Sequence, residues 1–185
     1  MKKHFRILAL LLLTTMLMPT VLACATTTGY PAHWHTDVFP QTYWDVMDEL
    51  IPSPDALPDL IETWKEEFGE DIYFWPYEYK AAAYALEEID GTSICGIPAE
   101  DDMQKDKAVE LAWSQFRTDA KGIYEASLMD EMIALYTFRY QYNGKDYDHI
   151  WTFEFVTDGE KTYGDCKIDA KTGEFITHAA EIGNG

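Results

Sequence analysis

An alternation of apolar and polar side chains, starting at Met132, constrains the fold more than any other feature of the sequence. Every second side chain of a β-strand lies on the same face of a sheet, so this pattern predicts strands with one buried, aromatic-rich face. Turn residues separate the segments at Asn143-Gly144, at Asp158-Gly159 and over residues 170–173. We therefore predict an antiparallel meander of three to four strands, over Met132–Tyr142, Trp151–Phe155, Thr162–Ile168 and Phe175–His178.

The segment Lys105–Asp119 precedes the meander and has a helical repeat instead. One face collects its apolar positions, namely Ala108, Leu111, Ala112, Gln115 and Phe116, with Val109 and Trp113 widening it. Asp101 or Asp102 is suited to cap the N-terminus of this helix. A helix packed around Trp113 on the aromatic face of a meander makes the predicted fold class α+β.

Residues 41–102 are predicted to form a helical N-terminal region. Two short helices fit within residues 41–68, and a third begins at Pro76 and ends at Gly91. Residues 91–102 are predicted to be a loop. The division is therefore a helical region over 41–102 and an α+β domain over 103–185.

Residues 1–24 have the pattern of a secretory signal. Lys2, Lys3 and Arg6 precede an apolar run, and small residues close the segment at Ala23-Cys24-Ala25. The apolar run is shorter than the roughly 20 residues that span a bilayer, and Pro19 interrupts it. We predict export and an extracytoplasmic location, with residues 25–40 as a flexible tether.

Two cleavage sites fit the end of the signal. Residues 21–24 (VLAC) resemble a lipobox, which would make Cys24 the lipid-bearing first residue of a lipoprotein. An A-x-A site at residues 23–25 would instead release the chain as a secreted protein. Contact with a membrane is therefore expected only through a lipid at Cys24 or an uncleaved signal.

The charge of the exported chain is strongly negative. The formal net charge is −19, and removal of Lys2, Lys3 and Arg6 with the signal takes it to −22. Such a surface repels nucleic acid and anionic lipid head groups, which argues against both as direct partners. It suits a cationic partner or a divalent ion, while the spread of the charge along the chain favours a generic solvated surface.

Two cysteines remain in the folded part, Cys95 and Cys166. An even number of cysteines in an exported chain permits one disulfide between them. Two buried thiols are the alternative, because cysteine packs well as a small apolar side chain.

Two segments of the meander resemble a PepSY domain. They are W-T-F-E-F at residues 151–155 and Y-G-D-C-K-I-D-A-K-T-G-E-F at residues 163–175, and Cys166 replaces an aliphatic residue in the second. The residues that match the closing turn of the family are Ile168, Asp169, Ala170, Thr172, Gly173 and Glu174. The resemblance covers about residues 103–180, and it implies an extracytoplasmic protein that binds or restrains a peptidase.

Catalytic motifs are not found in the sequence. G-x-S-x-G, H-E-x-x-H, a P-loop and a dinucleotide fingerprint are all missing, and no cofactor is indicated. Cys166 could meet His149 or His178, but a cysteine in phase with Ile168 is predicted to be buried and inert.

The sequence thus favours a non-enzymatic binding protein with a protein partner, acting through an edge strand or the aromatic sheet face. A small-ligand or metal-binding protein is the alternative. His33, His35 and Asp37 alternate on one side of an extended segment and are weak metal candidates. Aromatic residues would line a ligand pocket in that case, among them Trp34, Trp44, Trp75 and Tyr77.

Overall fold

The alternating segments form one antiparallel sheet whose strands lie side by side in chain order. The structure, a computed structural model, describes residues 39–84, 93–157 and 161–180. Within these ranges the strands are β1 (Ser93–Cys95), β2 (Ile133–Tyr142), β3 (Tyr147–Val156), β4 (Thr162–Asp169) and β5 (Phe175–Ala180). The predicted α+β meander is confirmed, with one strand more than expected.

Several sequence predictions concern residues outside these ranges. They are the export signal of residues 1–24 with Cys24, the tether of residues 25–40 apart from Phe39 and Pro40, and the metal candidates His33, His35 and Asp37. No helix in the described part of the chain is long and apolar enough to cross a bilayer.

The register of the strands divides the sheet into two faces, because directly opposed residues place their side chains on the same side. The aromatic face carries Tyr136, Phe138, Tyr140, Trp151, Phe153, Phe155, Cys166 and Ile168. The polar face carries Leu135, Thr137, Arg139, Thr152, Glu154, Asp165 and Lys167.

Five helices are described: α1 (Gln41–Leu50), α2 (Leu57–Phe68), α3 (Tyr77–Ala83), α4 (Lys105–Asp119) and α5 (Ala126–Glu131). The bounds of α4 are those predicted from the sequence. Its buried positions are Ala108, Ala112 and Phe116, and the Phe116 ring stacks on Phe155 with centroids 4.0 Å apart. The two alanines let α4 approach the aromatic face closely, so this side of the sheet is the core.

The N-terminal helices follow the predicted pattern. Prolines separate α1 from α2, with a 3₁₀ turn at Pro54–Ala56 between them. A second 3₁₀ turn, Ile72–Phe74, leads to α3, which starts directly after Pro76. The described part of α3 ends at Ala83, and its predicted continuation to Gly91 falls mostly outside the described residues.

The predicted loop over residues 91–102 is wrong in part. Ser93–Cys95 forms β1 and pairs with Arg139–Gln141 of β2, which adds an edge strand to the meander. The segment is too short and too irregular in polarity for its strand character to show in the sequence.

The predicted cap of α4 is also wrong. The N-cap residue is Gln104, and no side chain caps this end. Asp101 is exposed and pairs with Lys171, whereas Asp102 is buried and bonds elsewhere.

Candidate functional site

The closing turn between β4 and β5, which carries the resemblance to the PepSY family, is held by local hydrogen bonds. Asp169 Oδ1 accepts bonds from the backbone N–H groups of Lys171 and Thr172, both at 2.8 Å. Gly173 has φ of 77°, a conformation that favours glycine, and its N–H donates to Asp169 O. The matched residues thus build and hold the turn.

A buried carboxylate joins this turn to the segment before α4. Asp102 accepts bonds from Ala99 N at 2.7 Å and from His149 Nδ1 at 2.8 Å, and it pairs with Lys171 Nζ at 3.0 Å. Its side chain is fully buried. Burial alone would raise the pKa of Asp102, but the bonds from His149, Ala99 and Lys171 outweigh it and lower that pKa.

Backbone groups also join the segment before α4 to the sheet. Met103 N donates to Ala170 O at 2.7 Å, and Trp151 Nε1 donates to Met103 O at 2.7 Å. The His149 ring lies edge-on to Tyr140 and Phe138, with centroids 4.8 and 6.1 Å away. We conclude that Asp102 and His149 fix the segment to the sheet.

Cys95 and Cys166 are both buried, and no disulfide joins these two described residues. Cys95 is directly opposite Arg139 and therefore on the polar face, whereas Cys166 is opposite Phe153 on the aromatic face. Three strand spacings also separate β1 from β4, about 14 Å, while a disulfide requires Cα atoms within about 7 Å. This geometry excludes a Cys95–Cys166 bridge and leaves both side chains buried.

We expect thiol titration of the protein to reflect this burial. A small disulfide reagent should leave Cys95 and Cys166 unreacted in the native protein and modify both after unfolding in denaturant, because both side chains are buried and burial also raises the pKa of Cys166 to about 12. Mass spectrometry of alkylated protein would measure how many of the two cysteines have reacted. A native mass two units below that of the reduced chain would contradict the prediction.

The structure brings Cys166 next to His178, yet the two do not form a catalytic pair. They are directly opposed on β4 and β5, and His178 Nδ1 lies 2.8 Å from Asp119 Oδ2. No hydrogen bond links the thiol to the imidazole among the described contacts. A nucleophilic cysteine needs a lowered pKa, and burial raises the pKa of this one to about 12, with Asp165 and Asp119 adding to the shift.

The aromatic residues considered for a ligand pocket belong to the packing of the helices. Trp75 is buried, lies edge-on to Trp64 and donates from Nε1 to Gly69 O at 2.8 Å. Tyr77 is buried against Trp151, and Trp44 contacts the rings of Phe39 and Tyr43. Trp34 lies outside the described residues.

The two edges of the sheet differ. On one side the edge strand is β1, which has only three residues, all of them half-buried or buried, and the rest of β2 is lined by α3, whose Lys80 Nζ donates to Tyr136 O. On the other side, no described element pairs with the outer side of β5. Residues 176–179 of β5 are exposed, and the side chain of Ile176 is 49% accessible.

A small cleft opens on the polar face beside α3. We call it the Lys80 cleft and define it by its lining residues, which are Tyr73, Lys80, Tyr84, Leu135, Tyr136, Thr137, Arg139, Thr152 and Glu154. Its volume is about 70 Å³. No sequence motif indicated it, because its residues come from four separate segments.

No three His, Cys, Asp or Glu side chains in the described ranges are grouped so as to hold a metal ion. In comparisons with known proteins, no family model, no curated protein and no solved structure matches the chain. The resemblance to the PepSY family therefore stays a prediction, and the geometry of the sheet is the main basis for a functional proposal.

Proposed function

We propose that the chain is an exported, non-enzymatic binding protein that restrains a peptidase, or another protein of the cell envelope, by pairing with it along β5. The observation that carries the proposal is the open edge of the sheet at β5, with four consecutive exposed residues. An extended segment of a partner can add to such an edge through backbone hydrogen bonds, with side chains at alternate positions providing specificity.

The packing of the sheet favours this edge over the other surfaces. The aromatic face is covered by α4, so it offers no surface to a partner. The opposite edge strand, β1, is only three residues long and is half-buried or buried, so it offers a partner far less backbone than β5. Of the two modes considered from the sequence, pairing at an edge strand is the one this packing supports.

Charge and resemblance narrow the partner. The net charge of −22 after loss of the signal favours a cationic segment. The resemblance to the PepSY family implies that the partner is a peptidase. An extended segment of that peptidase, once paired with β5, would be held away from the active site of the peptidase.

The test compares two substitutions of the same kind. Ile176 on β5 and Ile133 at the start of β2 are 49% and 45% exposed, so both accept lysine without loss of core packing. Ile176→Lys should weaken the binding and inhibition of purified exported peptidases from the producing organism by about tenfold or more, because lysine on an edge strand opposes pairing. Ile133→Lys should leave both unchanged.

Inhibition constants and calorimetric titration measure the effect. Equal losses in the two variants would show that charge, not the edge, determines binding. A wild-type chain that neither binds nor slows any peptidase of the panel would overturn the peptidase proposal.

A further inference from the structure

The Lys80 cleft lies on the polar face, away from the edge at β5, and its floor is a pair of hydroxyl groups. Thr137 of β2 and Thr152 of β3 are directly opposed in the register. Tyr73, Lys80 and Tyr84 form the wall, because α3 and the 3₁₀ turn before it lie along the edge of β2. Since a water molecule needs about 10–15 Å³ of such space, a volume of about 70 Å³ accommodates roughly five to seven heavy atoms.

Two cations line this cleft without an anion at ion-pairing distance. Lys80 is only 3% exposed, and its Nζ donates to Tyr136 O at 3.3 Å and lies 5.7 Å from the centre of the Tyr73 ring. Neither Lys80 nor Arg139 forms a salt bridge with any described carboxylate. A buried cation that lacks a counter-charge is costly, so the site is complementary to an anion.

The carboxylate in the cleft is engaged elsewhere. Glu154 Oε2 accepts a hydrogen bond of 2.5 Å from the Tyr73 hydroxyl. This bond holds Tyr73 on the wall of the cleft and Glu154 on its floor. Burial first, and then the bond to Glu154, raises the pKa of Tyr73 far above its ordinary value. Tyr73 therefore remains a neutral donor to Glu154 at any physiological pH.

We propose that the Lys80 cleft binds a small carboxylate, held between the Lys80 ammonium and the Arg139 guanidinium and hydrogen-bonded by Thr137 and Thr152. A planar carboxylate matches the fork of a guanidinium group. Glu154 disfavours a dianion such as phosphate or sulfate, because a second negative charge would face its carboxylate. The carboxylate belongs to a free small acid or to the C-terminus of a peptide, and both present the same group to the cleft.

The charge state of Lys80 makes binding depend on pH. Burial, and to a lesser extent Arg139, lowers the pKa of Lys80, and Cys95, Glu154 and Asp71 raise it; the net result is a pKa of about 8. A bound carboxylate favours the ammonium form and so raises this pKa. The affinity of the cleft for a carboxylate is therefore highest well below pH 8 and falls as the pH rises above 8. Near pH 8, binding of the carboxylate is accompanied by uptake of a proton by Lys80.

The experiment is a titration of the exported chain with sodium acetate, followed by amide chemical shifts. We expect saturable shifts at Thr137, Thr152 and Lys80 at pH 7, and affinity about 30-fold lower at pH 9.5, where only about one Lys80 in 30 is protonated. Lys80→Met and Arg139→Gln should each weaken binding by at least tenfold. Lys107→Met and Arg117→Gln on α4 are matched controls and should have no effect.

Two further arms identify the source of the carboxylate. Trialanine with a free C-terminus should bind, and trialanine amide should not. Trialanine binding more than tenfold tighter than acetate assigns the cleft to a peptide C-terminus, and the reverse order assigns it to a free acid.

The proposal is overturned if acetate causes no saturable shifts at the cleft, or if affinity is the same at pH 7 and pH 9.5. The pH arm uses the wild-type chain, so it remains decisive even if a variant fails to fold. Binding at the cleft does not depend on pairing at β5, and Ile176→Lys should leave it intact.

Discussion

Asp102→Ala should lower the free energy of unfolding by about 3–5 kcal/mol at neutral pH, which is the usual effect of removing one partner from a buried charged pair. The buried Asp102 carboxylate satisfies Ala99 N, His149 Nδ1 and Lys171 Nζ together. Its loss would leave the first two without their acceptor inside the protein. Urea denaturation followed by circular dichroism measures the change.

Asp101→Ala is the matched control, because Asp101 is the neighbouring residue and also pairs with Lys171, at 2.9 Å. Its side chain is exposed, so its removal should cost clearly less than that of Asp102. A similar loss in both variants would mean that the charge of Lys171, not the buried network, determines stability.

The effect of Asp102 also has a defined pH range. Because its pKa is lowered in the folded state, the stability that it contributes is present above the unfolded value of about 3.9 and is lost as the pH falls through the folded value. The difference between wild type and Asp102→Ala should therefore narrow below about pH 4.

Trp151→Ala should also cost about 3–5 kcal/mol, the range observed for large aromatic side chains removed from a core. Trp151 is fully buried on the aromatic face, with its ring 5.1 Å from that of Phe138 and 5.2 Å from that of Tyr77. Its Nε1 also donates to Met103 O, so the truncation leaves a buried carbonyl without its donor. Thermal and urea unfolding measure the loss.

Trp113→Ala is the comparison, because Trp113 lies at the border of the same core and is only half buried. It contacts Phe155 at 4.7 Å but donates no described hydrogen bond, so we expect a clearly smaller loss. Trp151→Phe keeps most of the volume and isolates the hydrogen bond, at about 1–2 kcal/mol. Equal effects of the two alanine variants would contradict the central position of Trp151.

The helices and strands of the fold could be predicted from the sequence because local patterns determine them. The helix Lys105–Asp119 has its predicted bounds, and the predicted turn over residues 170–173 forms, held by the Asp169 carboxylate and the positive φ of Gly173. In each case the information lies within a few residues of the element itself.

The candidate sites could not be predicted from the sequence, because contacts between distant segments create them. Asp102 was predicted to cap a helix, but His149 lies 47 positions further along the chain and recruits its carboxylate. Lys80 and Arg139 are 59 positions apart in the sequence, and no motif joins them. The location of the two thiols on opposite faces, which excludes a disulfide, likewise required the register of the sheet.

The open edge at β5 has a consequence for contacts between copies of the chain. An unpaired edge strand can pair with the same strand of a second molecule, which is the first step of edge-to-edge association. Each copy would bring a formal charge of −22 after loss of the signal, so self-pairing meets repulsion that a cationic partner does not. Under the proposed function, the acidity of the chain would therefore disfavour pairing between copies and leave the edge for a cationic partner segment.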